Sequence, residues 1–187
     1  MTVEIRRITQ VSDALEEAFA RLMPQLSPRL GAPSREVLRR VAGSETGELL
    51  AAVAGERIVG VLTLAWYDAP SGRKAWIEDV VVDGAARGCG AGDALVRAAV
   101  EPMLARGADQ IVLGCTHYPF LTPVMERIVD GRAAIVDPSP AVARRVGQLL
   151  DRYGLRASAD NRPALTFRTF ADELYRLRLE RKVAAYL

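Results

Sequence analysis

Apolar and polar residues alternate from Thr2 to Ile8, the two-residue period of a strand with one buried face. From Val11 to Leu22 the period lengthens, and Leu15, Phe19 and Leu22 fall on one side, which predicts an amphipathic helix. Gln25 to Pro33 is rich in Pro, Ser and Gly and predicts a loop. Ser34, with Glu36 two residues on, predicts the N-cap of a second helix, Arg35 to Val41. Two apolar runs, Glu48 to Val53 and Ile58 to Trp66, flank Gly55-Glu56 and predict a hairpin of buried strands. After the polar cluster Asp68 to Arg73, Ala75 to Asp83 predicts a further strand, and its Val80-Val81-Val82 run suits burial on both faces. Leu95, Val96, Ala99 and Leu104 give helical spacing to Ala91 through Ala105.

The second half changes character. Gln110 to Gly114 predicts a short buried strand that ends in Cys115-Thr116-His117-Tyr118-Pro119. Thr122 to Val129 predicts a short helix, Ala133 to Asp137 a strand, and Ser139 to Tyr153 a helix with Pro140 at its first position. Arg156 to Pro163 predicts a loop, Leu165 to Thr169 a strand, and Ala171 to Ala185 a charged terminal helix. The whole, residues 1–187, is expected to be a single α/β domain with a mixed sheet flanked by helices.

The chemistry concentrates at two strand ends. Between the strand ending at Asp83 and the next helix lies Arg87-Gly88-Cys89-Gly90-Ala91-Gly92. Glycines allow positive φ and close approach of a ligand, while unpaired amides at a helix start favour a phosphate. Arg87 adds a charge-assisted contact. A dinucleotide fingerprint is excluded because the turn does not follow the first strand, and a nucleoside-triphosphate loop because no Lys-Ser or Lys-Thr follows. On these residues alone a purely structural turn stands beside an anion-binding one.

The order strand, two helices, three strands, glycine turn and helix resembles the GNAT superfamily of N-acetyltransferases. Val82 through Gly92 looks like that family's motif A, with Gly84 where the family usually has proline, and Trp76 through Val82 looks like the strand before it. The resemblance covers about residues 1–100. It implies an acyl-CoA N-acyltransferase core using acetyl-CoA as co-substrate. The backbone of Val81 and Val82 would bond the pantetheine arm, and the amides of Arg87, Gly88, Cys89, Gly90, Ala91 and Gly92 would hold the pyrophosphate. Glu78 and Asp79 become candidates to take a proton from an incoming amine, against the alternative of solvated strand-face acids.

From about Glu101 to Leu155 the chain resembles glutamate racemase and its aspartate/glutamate racemase relatives, on Ala105 to Leu121 and Ile135 to Arg144. There Cys115 would match a proton-shuttling thiol, Thr116 a substrate-binding residue and His117 a residue assisting the thiol. Racemisation needs an acid and a base on opposite faces of the substrate, and neither a second such cysteine nor that family's amino-terminal Asp-Ser-Gly loop has a counterpart here. The sequence therefore reads as a chimera: residues 1–100 GNAT-like, 101–155 racemase-like and 156–187 a tail with a helix. Pro102 falls inside the helix that the join interrupts, where it predicts a kink or restart. The tyrosine that many GNAT enzymes place on the following helix is missing, since Met125 and Glu126 stand there. Tyr118 or Cys115 is the substitute acid.

Composition narrows this only at the edges. A net charge of +2 with dispersed arginines argues against nucleic acid as partner. Two cysteines make no disulfide framework, no apolar run reaches membrane-spanning length, and the expectation is a cytoplasmic protein with free thiols. No metal site is expected. The partners expected are acetyl-CoA and a small-molecule or peptide amine, with homodimerisation open. The alternatives to acetyl transfer are a racemase-like isomerase using Cys115 and a catalytically inactive CoA-binding chimera.

Overall fold

The structure, a computed structural model, describes residues 2–115, 118–158, 160, 161, 166, 168 and 173–184. Its elements run β1 (Val3–Ile8), α1 (Asp13–Leu26), α2 (Arg35–Ala42), β2 (Gly47–Ala54), β3 (Arg57–Ala69), β4 (Gly72–Val82), α3 (Ala91–Ala105), β5 (Gln110–Val112), α4 (Thr122–Val129), β6 (Ala134–Val136), α5 (Ser139–Arg152) and α6 (Glu173–Ala184). Two compact units result, residues 1–138 and 139–187.

In the first unit β1, β2, β3 and β4 form an antiparallel meander in sequence order. Alternation along β2 and β3 sorts their side chains onto two cores. Leu50, Ala52, Leu62 and Leu64 meet Leu95, Ala99 and Val100 of α3, with Met125 and Ile128 of α4 completing that side. Leu49, Ala51, Val61 and Val81 meet Leu15, Phe19 and Leu22 of α1 and Leu38 of α2 on the other. Both helices of this second layer start where a serine hydroxyl accepts an amide, Ser12 from Leu15 and Ser34 from Val37. Arg35 then ties α2 to α1 through Glu16 and Asp13.

Gly60 is the tightest point of the sheet. A Cβ there would lie 3.0 Å from the Val81 carbonyl oxygen and 3.2 Å from Leu95, so glycine lets α3 settle onto the strands. The glycine turn hangs between that helix and β4, so this packing fixes where the turn sits.

Two expectations are corrected, on the burial of β4 and on Pro102. β4 is not buried on both faces: it is the edge of the meander, and Val81 is its one fully buried residue. β5 does not join β4 in a ladder. It pairs in parallel with β6, Gln110–Val112 against Ala134–Val136, which leaves the outer edge of β4 without a strand among the described residues. Pro102 neither breaks nor restarts α3, which continues to Ala105. It sits on the exposed side, where water can serve the carbonyl that loses its partner.

The join is a packed interior. Ile128 and Val129 of the racemase-like segment are 0% and 2% exposed, and Ile128 shares a core with Leu95 and Ala99 of the GNAT-like one. Outside, Arg132 fastens the end of α4 to α3 with paired hydrogen bonds to Glu101, at 2.7 and 2.9 Å. Ile128→Ala is therefore expected to cost about 2–4 kcal/mol, the range for emptying a fully buried aliphatic site. Chemical denaturation checks this. A loss below about 0.5 kcal/mol would mean that the two segments do not share a core.

In the second unit, α5 has no buried residue, and Val142, Val146, Tyr153 and Leu155 are exposed. The strand expected at Leu165 to Thr169 falls almost wholly outside the described residues. No helix among the described residues is long and apolar enough to cross a membrane.

Candidate functional site

The glycine turn starts from a buried charge. Asp83, 4% exposed, ends β4 and receives Arg21 at 2.9 Å, Arg57 at 2.8 Å and the Ala85 amide at 3.0 Å. Arg21 also donates to the Ile58 carbonyl at 2.6 Å, and Gln25 accepts the Gly84 amide at 2.8 Å. The chain from β4 into the short 3-10 turn Gly84–Ala86 is thus pinned to α1 and β3. The Ala85 amide does most to hold the Asp83 carboxyl below its ordinary pKa; Arg21, Gln25 and Arg57 help, and burial opposes them.

The sign of the pH effect follows from that depression. Stabilisation by Asp83 is complete above the ordinary carboxylate range and is lost as pH falls through the depressed value. Asp83→Ala is expected to cost about 2 kcal/mol, below the roughly 3–5 kcal/mol of a fully buried pair, because Arg57 and part of Arg21 reach water. In melting experiments the midpoint should drop by about 4–8 °C near neutral pH, with a smaller gap from wild type in acid. An unchanged midpoint would show that the turn is held by other means.

Beyond Arg87 the backbone turns left-handed twice, with φ of +83° at both Gly88 and Gly90, and α3 begins at Ala91. A side chain at either position would be strained, although nothing lies within 4 Å of where its Cβ would stand. Gly90 is the N-cap and makes no side-chain cap. The first amides of α3 are therefore left for an external acceptor, and the helix dipole adds a preference for an anion. Arg87 is exposed and in no ion pair among the described residues. Asp93, the acid in the first turn, is neutralised by Arg97 at 4.0 Å and Arg127 at 3.7 Å.

The edge strand supplies a second surface. Val61 opposes Val81, but Thr63 opposes Glu78, so Asp79 and Val80 together face Leu62 in a bulge. Asp79 has a φ of +51°, a left-handed conformation that Asp tolerates better than most residues. The Asp83 amide donates to the Val59 carbonyl at 2.8 Å. Antiparallel alternation then turns the N–H and C=O of Val82 toward the open edge, and those of Val81 toward β3. Glu78 and Asp79 are both exposed, at the bulge itself.

Tyr118 connects this edge to the segment after β5. Burial is the main cause that raises its phenol pKa, followed by the charges of Cys115, Glu78 and Asp79. Those three groups therefore lie within electrostatic reach of the phenol, so the four residues proposed for proton transfer share one neighbourhood. Met125, where many GNAT enzymes have a tyrosine, is 5% exposed in the core, and Tyr118 and Cys115 remain candidates for the acid. Thr116 and His117 lie outside the described residues.

Asp83 was legible only as the end of a strand. Its partners Arg21 and Arg57 are 62 and 26 positions away, with no local spacing to betray them.

Residues 12–119 match the Acetyltransferase (GNAT) family. The glutamate racemase of Pseudomonas syringae pv. tomato is 45% identical over 71 residues, which cover 38% of this chain and 26% of that protein. The glutamate racemase of Deinococcus radiodurans is 29% identical over 174 residues, 88% of this chain and 56% of that one. The racemase matches are partial and mostly in the C-terminal half, and the chain spans about a quarter of the length of the first of these relatives. Among solved structures, the glucosamine-6-phosphate N-acetyltransferase of Arabidopsis thaliana is similar with a TM-score of 0.54 at 19% identity, over 67% of this chain and 91% of that one. At that identity the likeness is one of fold.

Proposed function

We propose that this chain, which belongs to the GNAT acetyltransferase family, transfers an acetyl group from acetyl-coenzyme A to an amine. The observation that carries the reading is the uncapped start of α3, preceded by two left-handed glycines and lying beside the open edge of β4. A pyrophosphate meets the Arg87 guanidinium and the amides from Arg87 to Gly92 other than Cys89, whose N–H donates to the Ala86 carbonyl at 3.4 Å; this is the pairing of anion and helix start that needs no side-chain cap. The pantetheine arm then runs along β4, where Val82 offers its backbone groups, and the thioester comes to the bulge at Asp79 and Val80.

Glu78 takes the proton of the incoming ammonium, directly or through water, with Asp79 as the neighbouring alternative. The freed amine forms a bond to the thioester carbon, and the bulge amides stabilise the oxyanion. The nitrogen gives its remaining extra proton to water, collapse breaks the carbon–sulfur bond to release the thiolate and the neutral amide, and Glu78 returns its proton to solvent. Full proton transfer from Tyr118 to the leaving thiolate is uphill, because a phenol lies near 10 and a thiol near 8.5 before burial raises the phenol further. Tyr118 therefore acts by donating a hydrogen bond to the developing thiolate, whose proton arrives from solvent; Cys115 is the neighbouring second donor. The thioester, amine and water supply every atom of this sequence.

The test is thiol release from acetyl-CoA by the purified chain, with and without a panel of primary amines. Amine-dependent release with matching acetylated product is expected. Release that is absent, or indifferent to every amine, would contradict the reading.

A further inference from the structure

The open groove on the α2 side of the sheet and an aromatic pair on the same sheet face lie outside the machinery described above. The groove has a volume of about 440 Å³ and is lined by Val37, Val41, Gly47, Thr63 and Ala65, with Arg40 on its α2 side. Strand register continues its floor onto β4. Thr63 opposes Glu78 and Ala65 opposes Trp76, while Gly47 opposes Ala65 from the other side. Opposed residues share a face, and this face is the one away from α3, since Leu64 and Ile77 pack toward α3. Tyr67, two residues beyond Ala65, lies on it as well.

Tyr67 and Trp76 stack with ring centroids 4.9 Å apart and 19° between planes, yet remain 45% and 50% exposed. A diagonal aromatic pair stabilises a hairpin end. That role does not need half of two large rings in water beside a floor of glycine and alanine. Glu78 stands on the same face, two residues from Trp76, about 6.6 Å along the strand. An aryl ring joined to nitrogen by a two-carbon linker spans a comparable distance. Arg40 disfavours an ammonium on the α2 side of the groove and leaves the Glu78 end for it.

We infer that the Tyr67–Trp76 pair is the acceptor platform, and that the preferred acceptor is a primary amine carrying an aromatic ring one short linker from its nitrogen. The ring stacks on Trp76 and fills the groove beside Ala65 and Gly47, and the nitrogen reaches Glu78. The inference rests on the acetyl-transfer reading and adds its substrate class.

The experiment compares phenethylamine with an alkyl amine of equal carbon count in the wild type, Trp76→Ala and Trp76→Phe. The wild type should show a KM about tenfold lower for phenethylamine, from stacking and added apolar burial. Trp76→Ala should remove that preference while leaving the KM for acetyl-CoA unchanged, and Trp76→Phe should restore most of it. Binding is read separately in a Trp66→Phe background, where Trp76 is the sole tryptophan and its fluorescence should respond to phenethylamine and not to the alkyl amine. A chain that binds acetyl-CoA and uses both amines equally, or loses both equally in Trp76→Ala, overturns this inference alone. A chain that binds no acetyl-CoA overturns the proposed function and this inference with it.

Discussion

Gly90→Glu should weaken binding of acetyl-CoA at least 100-fold, the largest effect expected anywhere in the molecule. Two penalties add. The left-handed φ of +83° at this N-cap costs a non-glycine residue about 1–2 kcal/mol. A carboxylate at the mouth of α3 also faces the diphosphate, and two like charges about 5 Å apart near a surface repel by about 3 kcal/mol. Gly90→Ala carries the first penalty without the second and should lose about tenfold or less. Arg87→Glu leaves the backbone alone and should lose about 10–100-fold through charge reversal, with no change in melting temperature of the free protein because Arg87 is exposed. Isothermal titration with acetyl-CoA ranks the three. If Gly90→Ala were as damaging as Gly90→Glu, the turn would matter through its shape and not through an anion.

Tyr118→Phe should lower kcat about 10–100-fold and leave the KM for acetyl-CoA within about threefold, since a hydrogen bond to a charged atom is worth roughly 1.5–3 kcal/mol. Folding should survive, because the ring stays in place and only the hydroxyl goes. The pH profile gives an independent check. Burial and the charges of Cys115, Glu78 and Asp79 raise the phenol above its ordinary value, so the alkaline loss of kcat should begin above the usual phenol range and disappear in the Phe variant. Glu78→Gln should lower kcat on the order of 100-fold. If Tyr118→Phe kept full activity while Cys115→Ser lost it, the thiol would be the donor at the leaving sulfur. Full activity in both would place the leaving group elsewhere.

Local patterning carried the sequence reading furthest where one residue type does one job. Ser34 is legible as a cap from its sequence and Ser12 is not, yet both serine hydroxyls accept an amide in the structure. Leu15, Phe19 and Leu22 form the buried face of α1 as their spacing required. The glycines of the turn reveal themselves because positive φ admits few other residues. Legibility fails where an outcome depends on a distant partner. Val80-Val81-Val82 reads as a strand buried on both faces, yet whether a valine run is central or at an edge depends on whether β5 comes to lie beside it, and β5 chose β6. The bulge at Asp79 has no signature in a strand of ordinary residues. It exists because Leu62 is shared by two residues across a ladder that only the folded sheet defines.

The chimeric reading also gains a physical basis. The family match runs to residue 119, past the join read near residue 100, and the core is continuous across it: Leu95 and Ala99 on one side meet Met125 and Ile128 from the other. Helix α4 packs on α3 through apolar residues, which tolerate a change of partner better than a polar network would. The edge proposed for catalysis has no such tolerance. Tyr118 comes from the segment after the join and Glu78 from before it, so their meeting depends on how the two segments were fitted together.

The central claim, that the turn from Arg87 to Gly92 holds the diphosphate of coenzyme A, is tested most directly by thermal melting with added coenzyme A. A ligand at 100 times its dissociation constant stabilises by about 2.7 kcal/mol. The wild type should therefore melt roughly 5–10 °C higher at saturation, in a saturable manner, and Gly90→Glu should shift by no more than about 1–2 °C at the same concentrations. A wild-type melting temperature that coenzyme A does not move would contradict the account at its base.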